Sequence, residues 1–343
     1  MCFLILLLFS AVLSFGKCES MASPVGKILM DVDVGNDDAW ALLMATSNYA
    51  QNILGTELIG ITCVQGNTEV DHVVVNVLKV LKTVNRLDIP VYRGADKSLI
   101  YTPPGDNYYG IDGFGDFEFP DPPNPDEYLQ KEHAVNAMIK LVNQHPGEVT
   151  LIALGPLTNV ALAIRMDSGF LNKLKKLVVL GGSVKGVGNM FPGIEFNFYV
   201  DPHAARIVFN STQNPICVYS WEFAKASSLS SNWRMNVLGH LDNPKVSLMN
   251  KAEHIVNYTR DYWLIADGFT TSAILRPDLI IRDYETSVCG GQKYYVRVET
   301  DGLYTKGMMT VDYANFLNRE PNAEIVDRID KDKFMEFLLK CME

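Results

Sequence analysis

Short apolar runs alternate along the chain with amphipathic helical stretches, and no other feature restricts the fold as strongly. The runs predict strands at Lys27–Asp33, Leu58–Val64, Val149–Leu154, Leu177–Gly181 and Ile216–Trp221. The stretches predict helices at Asp38–Tyr49, Asp71–Val84, Glu132–Gln144, Pro202–Phe209, Lys245–Leu264 and Lys331–Cys341. Strands that alternate with helices pair in parallel through right-handed crossovers. We therefore predict an α/β fold, a doubly wound and mostly parallel sheet with helices on both faces, with its site at the carboxyl ends of the strands.

Four carboxylates surround one glycine where the first predicted strand meets the first predicted helix. The segment 31–38 reads Asp-Val-Asp-Val-Gly-Asn-Asp-Asp. Asp31 and Asp33 end a strand that we expect to be buried, where ionised groups need partners. A hard metal ion with oxygen ligands would be such a partner, and a solvated turn is the alternative. An Asp-x-Asp pattern after a first strand also opens the haloacid-dehalogenase phosphatases, which use the first Asp as nucleophile and magnesium as the ion.

Three further motifs follow in order: Gly66–Thr68, Ala153–Asn159, and Glu195–Asn197 just before Asp201-Pro202. Together with the acidic opening, they resemble the nucleoside hydrolases, the inosine-uridine-preferring N-ribohydrolases, from about Lys27 to the C-terminal helix. No phosphatase pattern accounts for the last three motifs. The resemblance implies the nucleoside hydrolase fold and hydrolysis of the N-glycosidic bond of ribonucleosides to free base and ribose. It also implies a homodimer or homotetramer.

The resemblance implies a calcium ion as cofactor. Its ligands would be Asp33, Asp38, the backbone carbonyl of Leu154 and Asp267. A carbonyl ligand does not depend on its side chain, so a leucine is acceptable. Calcium lowers the pKa of a bound water, and Asp33 would be the catalytic general base that accepts a proton from it.

The resemblance assigns the ribose hydroxyls to polar side chains of the motifs. These residues are Asp37, Asn67, Asn189, Glu195 and Asn197. Asn189 lies in the loop 181–192, where asparagine is also an ordinary turn residue. Phe196 is either a wall of the pocket or a core residue. Asp201-Pro202 predicts a helix start, with Asp as the cap and Pro at the first helical position.

The chain departs from the family pattern where the leaving base would be protonated. Many members have a histidine immediately before the last metal aspartate, but this chain has Ala266 before Asp267. His240 and His254 precede that aspartate, and lone histidines on helices are more often structural. Aromatic residues are abundant instead, and the candidates for stacking on the base are Tyr108, Tyr109, Trp221, Tyr262 and Trp263.

The missing histidine favours purine substrates, because purine N7 accepts a proton readily and pyrimidines have no equivalent atom. Purine-preferring members of the family stack the base between aromatic rings. A nucleoside-binding or scavenging protein with weak catalysis is the non-enzyme alternative. The presence of every expected carboxylate and asparagine favours catalytic turnover over binding alone. These residues are Asp33, Asp37, Asp38, Asn67, Asn197 and Asp267.

The first twenty residues predict a secretory signal, because Cys2–Gly16 carry no charge and Lys17–Ser20 are suited to signal-peptidase cleavage. No later segment is apolar for long enough to predict a membrane span. The rest, 21–343, predicts a single hydrolase domain that is exported. The net charge of −10 argues against binding a nucleic-acid backbone.

Four cysteines remain after the signal: Cys63, Cys217, Cys289 and Cys341. The first two lie in apolar runs and predict buried thiols, so Cys289–Cys341 is the favoured disulfide. Two sequons could carry glycan, at Asn210 and Asn257, and Asn210 is favoured because Asn257 falls on a predicted helix near the site. The loop 99–125 is too long for a connection and predicts a lid over the pocket.

Overall fold

The computed structural model describes residues 26–256, 261–281 and 289–343. The strands are β1 Gly26–Val32, β2 Thr56–Cys63, β3 Val91–Arg93, β4 Leu129–Gln130, β5 Val149–Ala153, β6 Lys176–Leu180, β7 Ile216–Tyr219, β8 Leu229–Ser230, β9 Tyr262–Trp263, β10 Gln292–Tyr294, β11 Val296–Val298, β12 Met309–Val311 and β13 Ala323–Val326. The α-helices are α1 Asn36–Ala45, α2 Val70–Thr83, α3 Pro125–Tyr128, α4 Ala134–Gln144, α5 Thr158–Met166, α6 Phe196–Val200, α7 Pro202–Ser211, α8 Trp221–Ser227, α9 Ser231–Asn236, α10 Pro244–Ala252, α11 Ala266–Leu275 and α12 Lys331–Met342.

Nine strands form one sheet in the order β10-β13-β7-β6-β5-β1-β2-β3-β4. All neighbours pair in parallel except β10, which runs antiparallel to β13 at one edge. The chain builds outward from β1 first through β2 to β4 and then, on the other side, through β5 to β7. This reversal puts a topological switch point beside β1, where ligands bind in open α/β sheets. The predicted doubly wound sheet is confirmed.

Strand β1 is buried on both faces of the sheet. Ile28, Met30 and Val32 pack into one apolar cluster with α1, α2 and α11, whereas Leu29 packs into a second cluster with α4, α5 and α7. The alternation follows from the pleat of the strand, which points successive side chains to opposite faces. Helices on both faces explain why the β1 sequence is an almost continuous apolar run.

One predicted helix is much too long. The sequence pattern predicts one helix over Lys245–Leu264, but α10 ends at Ala252 and β9 follows at Tyr262–Trp263. The Glu253 carboxylate turns inward, where its Oε1 accepts the indole N–H of Trp40 at 2.7 Å. A 3₁₀ turn at Glu253–Ile255 follows α10, and this buried contact with Trp40 has no local sequence signal. The sequence pattern does not predict helices α3, α5, α6, α8, α9 and α11 or strands β3, β4 and β8 to β13.

The predicted cysteine pairing is wrong. Cys217 on β7 is bonded to Cys289, with their Cα atoms 5.7 Å apart, while Cys63 and Cys341 are buried free thiols. Cys289 is therefore bonded to a strand of the central sheet and not to the C-terminal helix. The apolar run around Cys217 predicted a buried residue correctly but could not reveal that its partner approaches from a distant loop.

Several expectations concern residues outside the described ranges. The predicted signal, residues 1–20, and the sequon residue Asn257 both lie there. Asn210 is exposed near the end of α7. Among the described residues, no helix is both long and apolar enough to cross a membrane.

Candidate active site

The acidic segment forms the turn between β1 and α1. Asp38 Oδ2 accepts a hydrogen bond from Gly35 N at 3.0 Å, and its Oδ1 accepts one from Asp33 N at 3.3 Å. Asp33 is held in turn by Asn67, whose backbone N–H donates to Oδ2 at 2.9 Å. A Cβ atom at Gly66 would lie 2.0 Å from Asp33 Oδ2, so this motif glycine is required by the close approach. Asp33, which follows β1, is therefore fixed in place by the backbone that follows β2.

Asp31 has a different role from its neighbours in sequence. Its Oδ1 accepts hydrogen bonds from Thr62 Oγ1 at 2.7 Å and from Asn159 Nδ2 at 2.8 Å. Burial raises the pKa of Asp31 to about 7, although both hydrogen bonds act in the opposite direction. The same Asn159 amide donates to the Cys63 carbonyl. Asp31 and Asn159 thus connect the strands beneath the site and do not line the cavity.

Asp37, Asp38 and Asp267 form a buried carboxylate cluster. One oxygen of each lies within 4.8 Å of the others, and Asp267 joins from the first turn of α11. Burial raises the pKa of all three carboxyls, to about 7 for Asp38. Repulsion from neighbouring carboxylates raises the pKa of Asp38 and Asp267 further. Asp267 Oδ1 is buried with no hydrogen-bond partner, so the cluster has the oxygen donors and uncompensated charge that suit a hard cation.

Asp33 lies beside this carboxylate cluster. Burial, followed by repulsion from Asp38, holds its pKa well above the ordinary range. The predicted ligand set contained Asp33, with Asp37 assigned to the ribose instead. The close group of three contains Asp37, because it is adjacent to Asp38 on α1 and faces the start of α11.

A cavity of about 480 Å³ opens at the carboxyl ends of the central strands. It gathers every predicted site residue except Asp38, which is completely buried. These lining residues are Asp33, Asp37, Asn67, Leu154, Asn189, Glu195, Phe196, Asn197 and Asp267. Within the described ranges, no Lys, Arg or His side chain lines the cavity. The site is therefore strongly acidic and suits an uncharged ligand held together with a cation.

Glu195 supports the start of helix α6. Its Oε1 accepts the Asn197 N–H at 3.0 Å, and its Oε2 accepts the Gly182 N–H at 2.9 Å and the Phe198 N–H at 3.3 Å. Burial raises the pKa of Glu195 to about 7 against these hydrogen bonds. Glu195 is therefore both a helix cap and a cavity wall.

Asn189 also has a local structural contact. Its Oδ1 accepts the Phe196 N–H at 2.9 Å, which closes the loop before α6. This contact matches the turn role that the sequence left open, and Asn189 lines the cavity as well. Phe196 is half-buried and lines the cavity, so of its two predicted roles the structure favours the wall.

All five aromatic candidates line the cavity: Tyr108, Tyr109, Trp221, Tyr262 and Trp263. Trp263 is nearly buried, while Tyr262 is 39% exposed. Flat rings of this kind offer stacking surfaces for a planar base. Neither His240 nor His254 lines the cavity, and His254 Nδ1 instead lies 2.7 Å from the Lys251 carbonyl oxygen.

Sequence reasoning missed Glu253, which also lines the cavity. Its Oε1 accepts the indole N–H of Trp263 at 3.1 Å, and its Oε2 lies 2.7 Å from Arg234 Nη2 in a buried ion pair. The Arg234 guanidinium also lies over the rings of Trp40 and Trp263, at 5.3 and 5.7 Å. The Arg234–Glu253 ion pair therefore fixes the ring of Trp263 in the cavity wall. No local sequence pattern could have linked Trp40 to these residues, because it lies far away in the chain.

The family model described as "Inosine-uridine preferring nucleoside hydrolase" matches residues 28–336. An uncharacterised protein of Schizosaccharomyces pombe is 33% identical over 323 residues, covering 92% of this chain and 98% of that protein. The pyrimidine-specific ribonucleoside hydrolase RihA of Salmonella arizonae is 33% identical over 321 residues, covering 92% and 98%. Among solved structures, a plant nucleoside hydrolase, the PpNRh1 enzyme, aligns with a TM-score of 0.81 at 27% identity and covers 93% of this chain and 99% of its own. An inosine-guanosine nucleoside hydrolase aligns with a TM-score of 0.82 at 28% identity, covering 92% and 98%.

Proposed function

The chain belongs to the inosine-uridine preferring nucleoside hydrolases and is a nucleoside hydrolase, and from this premise we propose that it splits purine ribonucleosides into base and ribose with calcium as cofactor. The observation that carries the proposal is the buried carboxylate cluster at one acidic cavity. Family membership leaves the phosphatase alternative without support, because the match spans nearly the whole chain.

The residues present fit a calcium ion. Asp267 Oδ1 is a buried oxygen without a partner, and Asp38 and Asp33 offer further carboxylate oxygens beside it. The Leu154 carbonyl already accepts one hydrogen bond from Asn197, and its second lone pair is available to a cation. Asp33, Asp38, Leu154 and Asp267 would therefore hold the ion. When bound, calcium supplies a Lewis acid that lowers the pKa of a bound water and binds the ribose diol.

The protein's own groups account for the remaining chemistry. Asp33 Oδ2 is fixed by the Asn67 N–H, which leaves Oδ1 to accept the proton of the attacking water. The ribose becomes oxocarbenium-like in the transition state, and the acidic walls stabilise that developing positive charge. Asp37, Asn67, Asn189, Glu195 and Asn197 would bind the sugar hydroxyls.

The purine assignment rests on two features of the cavity. Aromatic rings line it, and no histidine does within the described residues. A base leaving without a histidine acid must itself accept a proton readily, which favours purine N7. A pyrimidine nucleosidase is the second candidate, because bacterial relatives at 33% identity are named pyrimidine-specific hydrolases.

We also propose that residues 1–20 are a secretory signal, that 21–343 form a single exported domain, and that the protein assembles as a homodimer or homotetramer. The Cys217–Cys289 disulfide supports export, because such bonds persist in oxidising compartments. The exposed Asn210 supports a glycan on the exported protein.

One assay tests the function. The protein is incubated with inosine, uridine or a phosphate ester, with calcium or with a chelator, and free ribose, hypoxanthine, uracil and phosphate are measured. We expect ribose and hypoxanthine to form from inosine only with calcium. Phosphate release alone would contradict the family chemistry, and tight nucleoside binding without ribose release would support the binding-protein alternative.

A further inference from the structure

A tyrosine from the long loop between β3 and α3 enters the cavity and contacts the carboxylate cluster. Tyr109 Oη donates a hydrogen bond to Asp37 Oδ1 at 3.0 Å. The ring lies against the backbone of Gly35, where an added Cβ would meet it at 2.6 Å. The backbone N–H groups of Ala266 and Asp267, at the start of α11, lower the pKa of the same carboxyl. Asp37 is thus held between the start of α11 and Tyr109.

The loop segment after Tyr109 is anchored to helix α2 through Asp112. Asp112 Oδ1 accepts hydrogen bonds from Phe114 N at 2.7 Å and Asp116 N at 3.0 Å. Asn76 Nδ2 donates to the Asp112 carbonyl at 2.7 Å, and Lys79 Nζ lies 3.3 Å from Asp112 Oδ2. Lys79 is buried on α2, and a buried ammonium is stable only with partners of this kind. The ion pair therefore ties the loop firmly to the helix.

Backbone contacts link the segment around Asp112 to Tyr109. The Gly115 N–H donates to the Tyr109 carbonyl at 2.7 Å. A Cβ atom at Gly113 would lie 2.7 Å from Thr68, and one at Gly115 would lie 2.4 Å from the Ala252 carbonyl oxygen. At these two glycines the loop packs too closely against its neighbours to admit a side chain, so the segment that follows Tyr109 is fixed to the body of the protein.

We propose that Tyr109 is a positioning residue that fixes Asp37 for ribose binding, and that Lys79 keeps Tyr109 in place. The inference rests on the proposed function, because Asp37 is assigned there to the sugar hydroxyls. Asp37 lies among carboxylates that repel it, so its side chain needs a donor to define its orientation. With Oδ1 engaged by Tyr109, Oδ2 is presented to a sugar hydroxyl. Tyr109 acts through Asp37 and not through the leaving base.

The first test compares Tyr109→Phe, which keeps the ring and removes only the donor, with wild type on inosine, 2′-deoxyinosine and 3′-deoxyinosine. We expect KM for inosine to rise about tenfold, as for loss of a hydrogen bond to a charged group, with kcat changed less than about threefold. The increase in KM caused by Tyr109→Phe should be absent for the deoxynucleoside that lacks the hydroxyl bound by Asp37. An equal increase in KM for all three substrates, or no increase for any of them, overturns the inference.

The second test is a double-mutant cycle with Lys79→Met, which keeps the aliphatic stem. Lys79→Met should raise KM in the same direction, and adding Tyr109→Phe should cost less than the sum of the single effects, because both act through one hydroxyl. Additive effects overturn the link to Lys79. Tyr101→Phe, at an exposed ring of the same loop, is the matched control and should match wild type. A wild type that cleaves no nucleoside overturns the proposed function itself, whereas normal wild-type cleavage with normal Tyr109→Phe kinetics overturns only this inference.

Discussion

Asn197 Nδ2 donates a hydrogen bond to the carbonyl oxygen of Leu154 at 2.6 Å, joining the start of α6 to the end of β5. The same amide donates to the Leu180 carbonyl at the end of β6, at 3.2 Å. One side chain thus orients two strand ends at the cavity, and its Oδ1 is left for other contacts. Asn197 therefore supports the proposed calcium ligand in addition to its predicted ribose contact.

Asn197→Ala should weaken calcium binding by about tenfold, or about 1.4 kcal/mol, because the Leu154 carbonyl loses the donor that orients it. Calcium titrations followed by thermal melting measure this directly. Asn189→Ala is the matched control, because the Asn189 side chain accepts the Phe196 N–H in the loop before α6. Equal calcium affinity in Asn197→Ala and wild type would show that the Leu154 carbonyl is not a ligand.

Asp33→Asn should fold and still bind nucleoside weakly, but turnover should fall by several orders of magnitude. The substitution removes a proton acceptor and a carboxylate ligand at once. Single-turnover rates on inosine, with Tm as the check on folding, make the measurement. Near-native rates in this variant would refute the assignment of Asp33 as general base.

The convergence of the motifs on one cavity could be predicted from sequence, because three of the four motifs follow a strand closely. Asp33, Asn67 and Leu154 follow the carboxyl ends of the neighbouring strands β1, β2 and β5, and parallel strands bring those ends together. Asn197 lies on α6 and reaches the same edge through its hydrogen bonds to the Leu154 and Leu180 carbonyls. The sheet order makes this convergence a property of the fold, so a few motifs were enough to predict one site.

Contacts between distant segments could not be read in the same way. Glu253, directly after the end of α10, has a buried carboxylate that accepts hydrogen bonds from Trp40 and Trp263. The partner of Cys289 depends on which strand its loop reaches, and four cysteines allow several pairings. Tyr109 was one of several aromatic candidates, and only its approach to Asp37 distinguishes it. Each of these depends on packing that has no local sequence signal.

The stability of the calcium-free protein should fall as pH rises from about 4 to 7. Burial raises the pKa of Asp31, Asp38 and Glu195 to about 7. Protonated carboxyls therefore favour the folded state, and this contribution is complete below their ordinary pKa and is lost as pH rises through 7. Between the ordinary and the raised pKa, each such group lowers the free energy of unfolding by up to about 1.4 kcal/mol per pH unit.

Calcium should offset this loss, so the increase in Tm on adding calcium should grow from pH 5 to pH 8. Paired melts with calcium and with a chelator across that range provide the measurement. A calcium effect that is constant with pH would show that the carboxylates of the cluster do not meet the ion.

Replacing both Cys217 and Cys289 by alanine should lower the free energy of unfolding by on the order of 4 kcal/mol, because the bond closes a long loop in the unfolded chain. The two residues are 72 positions apart, and the enclosed segment carries Trp263 and Asp267. Cys341→Ala, at a buried free thiol, is the control and should cost much less. Peptide mapping that finds Cys217 and Cys289 both alkylated in unreduced protein would contradict the bridge.

Inosine should exceed uridine by well over tenfold in kcat/KM, because the described cavity offers no histidine to protonate a pyrimidine leaving group. Stacking on the tryptophan and tyrosine rings adds a cation–π contribution of roughly 1 to 2 kcal/mol for a protonated purine. The substitution Ala266→His places an acid immediately before Asp267, at a position that lines the cavity, and should raise uridine cleavage more than inosine cleavage. Ala266→Phe, which adds a ring of similar size without an acid, should not do so. If uridine and inosine react equally fast in the wild type, another group already protonates the base, and the preference expected from the missing histidine is wrong.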